Sequence, residues 1–132
     1  METNKKKTVF IVDDDSDYLF QMTKMIENMG FDVISAYGQK EAEKVMEVIN
    51  PDLAIFDLMM ENKDSGFILC HKIKKIKPDM PIIIATALTA DTGMIFGLEN
   101  EKDKNWIKAD LYLEKGLRSD QLHREINKLL KL

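Results

Sequence analysis

Short apolar runs alternate with amphipathic stretches along most of the chain. Val9-Phe10-Ile11-Val12 is a β-branched run that halts at three aspartates, the pattern of a strand buried on both faces. Over 16–29, Leu19, Met22, Ile26 and Met29 recur at helical spacing, with Ser16 placed to cap the start and Gly30 the end. A second strand is expected over 31–36. A second helix is expected over 39–49, with Ala42, Val45, Met46 and Ile49 on one face. Asn50-Pro51 closes it, because proline cannot continue a helix and restrains the residue before it.

The pattern then repeats. Leu53-Ala54-Ile55-Phe56 is an apolar strand ending at Asp57, followed by a polar loop over 61–65. Gly66 opens a helix with Phe67, Cys70, Ile73 and Ile76 expected inward. Pro78 and Pro81 bracket a turn before Ile82-Ile83-Ile84-Ala85. Residues 111–113 form a fifth strand, and Leu122, Ile126, Leu129 and Leu130 stripe the last helix. Strands alternating with helices imply crossover connections and a parallel sheet, and near-continuous apolar strands imply helices on both faces. The expected class is α/β: a doubly wound, five-stranded parallel sheet.

Composition narrows the function. The chain has 132 residues, enough for one domain with a sizeable core. Its 19 Lys and Arg against 23 Asp and Glu give a net charge of −4, which argues against direct nucleic-acid binding. The single cysteine, Cys70, excludes an internal disulfide and fits a reducing cytoplasm. Lys5-Lys6-Lys7 is followed by no apolar stretch long enough for a signal peptide, and no run approaches a membrane span. A cytoplasmic protein with no membrane contact is the expectation.

In doubly wound sheets, ligands sit beyond the carboxyl ends of the strands. There stand Asp13, Asp14 and Asp15, then Asp57, Thr86 and Lys115, one set after each of four strands. Carboxylates converging on a small volume cannot all stay ionised without a cation. With hard oxygen ligands and no histidine or cysteine nearby, the natural ion is Mg²⁺. Lys115 adds positive charge and Thr86 a hydroxyl donor. A nucleophilic carboxylate, charge neutralisation and a donor are what a phosphoryl group needs. A lone aspartate after a strand is usually a cap or turn residue, and Asp15 is read that way. Five such positions together are not explained by caps.

In identity, order and strand context these residues resemble the receiver domain of bacterial two-component response regulators, of the chemotaxis-regulator type. The resembling stretches are VFIVDDDSD, LAIFDLMMENKDSGF, PIIIATA and ADLYLEKG, spread from about Thr8 to the end. The resemblance implies a flavodoxin-like fold with strand order 2-1-3-4-5, a polar lead-in over 1–7 and a receiver domain over 8–132. It implies that Asp57 accepts a phosphoryl group from a sensor histidine kinase or a histidine phosphotransfer protein. Asp14 would ligate Mg²⁺ directly, Asp13 mainly through water, and the backbone carbonyl of Met59 would complete the protein ligands. Thr86 would hydrogen-bond the phosphoryl group and Lys115 pair with it. Tyr112 matches the aromatic switch residue that turns inward when Thr86 moves; otherwise it is an ordinary strand aromatic. The chain would then be no enzyme in the usual sense, only a phosphoacceptor assisting its own transfer and slow hydrolysis.

Several positions depart from the family pattern. The loop after Asp57 lacks the usual proline and is a residue longer, running Met60-Glu61 to Asp64-Ser65-Gly66. Gly116 replaces the proline that normally follows the lysine, so either the turn is reshaped or Lys115 is less firmly placed. An extra segment over 93–108 contains a charged run, read as a solvated loop, and Trp106 and Ile107, read as core residues. Met59 and Leu88, two residues past Asp57 and Thr86, are apolar and cannot orient or deprotonate an attacking water. A comparatively long-lived phosphoryl state is expected. His71 and His123 are read as surface residues, and Cys70 as a small core residue.

The leading expectation is therefore a stand-alone relay receiver with an unknown downstream protein target. A receiver-like interaction module that no longer uses phosphate is the alternative, supported by Gly116 and Glu61 but opposed by the intact five-residue set. A Mg²⁺-dependent phosphohydrolase would need a carboxylate where Met59 stands, and that reading falls.

Overall fold

A computed structural model describes residues 6–86 and 109–132. Leu88 and the 93–108 segment, with Trp106 and Ile107, lie outside the described residues. Five parallel strands form one sheet: β1 (Thr8–Val12), β2 (Asp32–Ala36), β3 (Leu53–Asp57), β4 (Ile82–Thr86) and β5 (Leu111–Glu114), in the order β2-β1-β3-β4-β5. The described helices are α1 (Ser16–Asn28), α2 (Gly38–Val45), α3 (Ser65–Ile76) and α4 (Ser119–Leu130). The doubly wound architecture expected from the alternation is the one observed.

Period-two alternation divides the sheet's side chains between two cores. Phe10, Val12, Ala54, Phe56, Ile82 and Ile84 face α2 and α3, where Phe67, Cys70 and Ile73 meet them. Val9, Ile11, Ile55, Ile83 and Ala85 face α1 and α4, against Leu19, Met22, Ile26, Leu122 and Ile126. Phe10 and Phe56 meet edge to face, their centroids 5.9 Å apart. β3 and β4 are buried throughout, which is why both read as unbroken apolar runs.

Aspartates close the amino ends of two strand pairs in the same way. Asp52, just before β3, donates its amide to the Thr8 carbonyl and accepts the Thr8 amide on Oδ2, both at 2.8 Å. Asp110, just before β5, makes the same exchange with Ile82, again at 2.8 Å each way. Lys74 of α3 reaches Asp110 Oδ2 at 3.1 Å and the Met80 carbonyl at 2.7 Å. The helix end is thereby tied to the fourth and fifth strands.

Some local expectations are corrected. Asp15, as its cap-or-turn reading expected, caps α1 in place of Ser16, with Oδ1 accepting from the amides of Asp17 and Tyr18 at 3.0 and 3.2 Å. α2 stops at Val45, short of the expected 49, and the chain turns through 46–48 toward Pro51. Ile76 is exposed rather than inward. It lies nine residues beyond Phe67, and at 3.6 residues per turn that is half a turn out of phase. His71 and His123 are half-buried instead of on the surface, and His123 packs edge-on to Phe31. Cys70 is buried as expected.

Candidate functional site

The carboxyl ends of the central strands converge. Asp57 is the last residue of β3 and Thr86 the last of β4, while Asp13 and Asp14 follow β1 and Lys115 follows β5. Register sets Asp57 opposite Ala85 and Thr86 opposite Glu114. The Lys115 amide donates to the Thr86 carbonyl at 3.0 Å, carrying the ladder one step past the last strand pair.

Asp13, Asp14 and Asp57 each offer a carboxylate oxygen, and these oxygens lie within 4.8 Å of one another. Lys115 Nζ bridges two of them, 2.9 Å from Asp13 Oδ2 and 3.1 Å from Asp57 Oδ1. Asp13 Oδ1 also accepts the Asp15 amide at 2.9 Å, so both oxygens of this buried carboxylate are engaged. Asp14 stands exposed at the rim. Among the described residues, one ammonium faces three carboxyl groups, leaving excess negative potential. Burial, reinforced by the charge of Asp13 and opposed by Lys115, pushes the Asp57 carboxyl up to about 6. For Lys115, burial works downward but is outweighed by the hydrogen bond to Asp13 and the charge of Asp57, so its ammonium is held above the usual range. An all-oxygen donor set with surplus negative charge and an open rim fits a hard divalent cation such as Mg²⁺.

Local sequence explains how Asp57 is presented. The Gly66 amide, in the first turn of α3, donates to the Leu58 carbonyl at 2.8 Å. A Cβ at residue 66 would run into the Asp57 carbonyl oxygen and stand 2.9 Å from Leu58 Cα. Only glycine lets α3 begin this close to the strand that carries Asp57. The intervening loop is pinned by its own polar groups, with the Asn62 amide on Ser65 Oγ at 2.9 Å.

Two site neighbours escape sequence reasoning. Glu61 reaches the start of α2, accepting the amides of Gln39 and Lys40 at 2.7 and 2.9 Å. It occupies the space a Cβ on Gly38 would need, 2.7 Å from Oε1, and Gly38 has a left-handed φ of +84°. Helix caps are found in sequence by local spacing, and Glu61 is too distant for that. Tyr18 is the other. Its ring centroid lies 4.6 Å from Lys115 Nζ, and burial raises its hydroxyl to about 12, keeping the ring a neutral phenol. The only sequence signal is that Tyr18 stands one helical step before Met22 on the inward stripe.

Of the expected site residues, Asp13, Asp14, Asp57 and Lys115 come together directly, and Thr86 is buried at the adjoining strand end. The Met59 side chain points to solvent, 55% exposed, as a residue contributing only its carbonyl can. Tyr112 lies opposite Ile84, on the same sheet face as Thr86, half-buried against the α3 core. Lys115 reaches both Asp13 and Asp57 although Gly116, not proline, follows it.

Residues 9–127 match the family model of the response regulator receiver domain. The chain belongs to that family. Among curated relatives, a probable transcriptional regulator, ycf27, of Cyanophora paradoxa is 32% identical over 131 residues, covering 99% of this chain and 51% of the relative. The transcriptional regulatory protein CssR of Bacillus subtilis is 31% identical over 125 residues, covering 95% and 52% respectively. The receiver domain thus spans about half the length of the curated relatives it matches. A CheY-like receiver domain from Methanospirillum hungatei superposes with a TM-score of 0.81 at 27% identity, over 96% of this chain and 95% of that one. The response regulator TrrA of Thermotoga maritima, solved in complex with Mg²⁺ and BeF, gives 0.76 at 25% identity over 93% and 98%. Among the described residues, no helix of this receiver domain is long and apolar enough to cross a membrane.

Proposed function

We propose that this receiver domain takes a phosphoryl group onto Asp57 from the phosphohistidine of a sensor histidine kinase or phosphotransfer protein, and relays the signal by a conformational switch. The observation that carries this reading is the bridge from Lys115 to Asp13 and Asp57 beside an exposed Asp14. An Asp57 carboxylate oxygen attacks phosphorus as the phosphorus–nitrogen bond breaks, and the departing imidazole retains the electron pair. Asp14 and Asp57, with the Met59 carbonyl, would hold Mg²⁺, and Asp13, already engaged by Lys115 and the Asp15 amide, would act through water. The bound ion supplies neutralisation of charge on the phosphoryl oxygens. Lys115 pairs with a phosphoryl oxygen, and the Thr86 hydroxyl donates to another. In reaching the phosphoryl group Thr86 would move and open space on the sheet face it shares with Tyr112, and the Tyr112 ring would follow inward to signal a downstream protein. Acting on its own aspartate, the chain is a phosphoacceptor rather than a turnover enzyme.

Incubation with acetyl phosphate and Mg²⁺ followed by intact-mass measurement tests this. One phosphoryl adduct is expected, absent from Asp57→Asn. The adduct should decay slowly once donor is removed, because the Met59 side chain offers no group to activate water. No adduct under any condition would favour the phosphate-independent interaction module instead.

A further inference from the structure

We propose that Tyr18 is a positioning residue whose ring holds the Lys115 ammonium over Asp57 by a cation–π contact. The consequence for phosphorylation rests on the receiver reading above; the contact itself does not. Lys115 Nζ lies 4.6 Å from the ring centroid, inside the range where such contacts act, while it also reaches Asp13 and Asp57. The ammonium is thus held from two sides.

The main chain does little of this work. Lys115 sits in a turn beyond β5, and its amide bond to Thr86 fixes the Cα but none of the four side-chain torsions. Gly116 is exposed, with nothing within 4 Å of a Cβ there. The turn is closed by Leu117, whose amide donates to the Glu114 carbonyl at 3.2 Å and whose side chain packs on the core, so the backbone is placed while the lysine side chain is not. Beneath the lysine lies a small cavity, walled by Tyr18, Ile83, Ala85, Leu113 and Leu117. Without the ring, the aliphatic stem would have somewhere else to go.

Tyr18 itself is well anchored. Its amide donates to Asp15 Oδ1 at 3.2 Å, and the Asp15 amide donates to Asp13 Oδ1 at 2.9 Å. The helical turn bearing the ring and the loop bearing the buried carboxylate therefore form one hydrogen-bonded unit. Leu19 and Met22 bury the same turn in the core. Lysine, ring and carboxylate are set relative to one another through this unit.

The test uses the full chain as wild type, Tyr18→Phe and Tyr18→Leu, with Tyr18→Met replacing the leucine variant should that fail to fold. NMR of the Lys115 ε-methylene protons should show a ring-current upfield shift in wild type and Tyr18→Phe that is lost without the ring. With acetyl phosphate and saturating Mg²⁺, the ring-free variant should be phosphorylated roughly three- to tenfold more slowly. Tyr18→Phe should keep the wild-type rate. An unshifted methylene in wild type, a ring-free variant reacting at full rate, or a phenylalanine variant as slow as leucine would each overturn the proposal. If the wild type takes no phosphoryl group, the receiver reading fails, and the methylene shift still decides whether the ring holds the lysine.

Discussion

At both ends of the sheet a lysine meets aspartate, Lys74 with Asp110 at one and Lys115 with Asp13 and Asp57 at the other, yet the two ends serve opposite purposes. At the amino end, Asp110 Oδ2 accepts the Ile82 amide at 2.8 Å, and Lys74 divides its hydrogens between Asp110 and the Met80 carbonyl. One carboxylate meets one ammonium and a backbone donor, so the group is satisfied and nothing is invited in. At the carboxyl end, one ammonium serves Asp13 and Asp57 with Asp14 beside them. The same residue types leave negative charge over and a buried carboxyl that resists ionising. What separates scaffold from site is the stoichiometry of charge, not the identity of the side chains.

That contrast can be broken by exchanging the lysines. Lys115→Met should slow phosphorylation by acetyl phosphate about a hundredfold, since it removes a preorganised charge at the reacting group. Lys74→Met should leave the rate within about twofold but lower unfolding stability by about 1–2 kcal/mol, because partly buried acceptors lose their donor. Equal rate losses would dissolve the distinction. Stopped mixing with phosphodonor and urea melts measure both.

The aspartates should differ in sign. Asp110→Ala is expected to destabilise by about 1–2 kcal/mol. Asp57→Asn should stabilise the metal-free protein on the order of 2 kcal/mol at neutral pH, because folding raises that carboxyl from 3.8 to about 6. The folded state binds the proton more tightly than the unfolded one. Metal-free wild type should therefore gain stability as pH falls from about 6 toward 4 and lose it as pH rises through that window, a dependence absent from Asp57→Asn. With Mg²⁺ present the trend should reverse for wild type, since protonation of Asp57 competes with the ion. Melts across the pH range, with and without Mg²⁺, decide this. The smallest effect should come from Gly116→Ala. With open space around that Cβ, stability should move by no more than about 0.5 kcal/mol and the phosphorylation rate stay near wild type. A marked rate loss there would mean that the backbone turn places Lys115 after all.

The strand-end site residues are legible because β strands are short, apolar and abruptly ended, so Asp13, Asp57, Thr86 and Lys115 can be placed from the chain alone. Ile76 was misread because three-residue steps drift around a helix, an error that accumulates with length. Asp15 and Ser16 are adjacent good acceptors that both suit the cap of α1 in sequence, and folding selects Asp15. The contacts of Glu61 and Tyr18 are hidden in sequence for a different reason. Each acts on a partner brought near only by tertiary folding, and no local spacing encodes that proximity.

Glu61 carries one more consequence. Its carboxylate fills the volume that Gly38 leaves empty, and it takes the two amides that open α2. The two positions form a single structural unit: a side chain at 38 would evict the acid, and a shorter residue at 61 would leave a helix start without its acceptor. Grafting an acceptor loop from a relative into this chain is therefore not a local edit. The second helix travels with it.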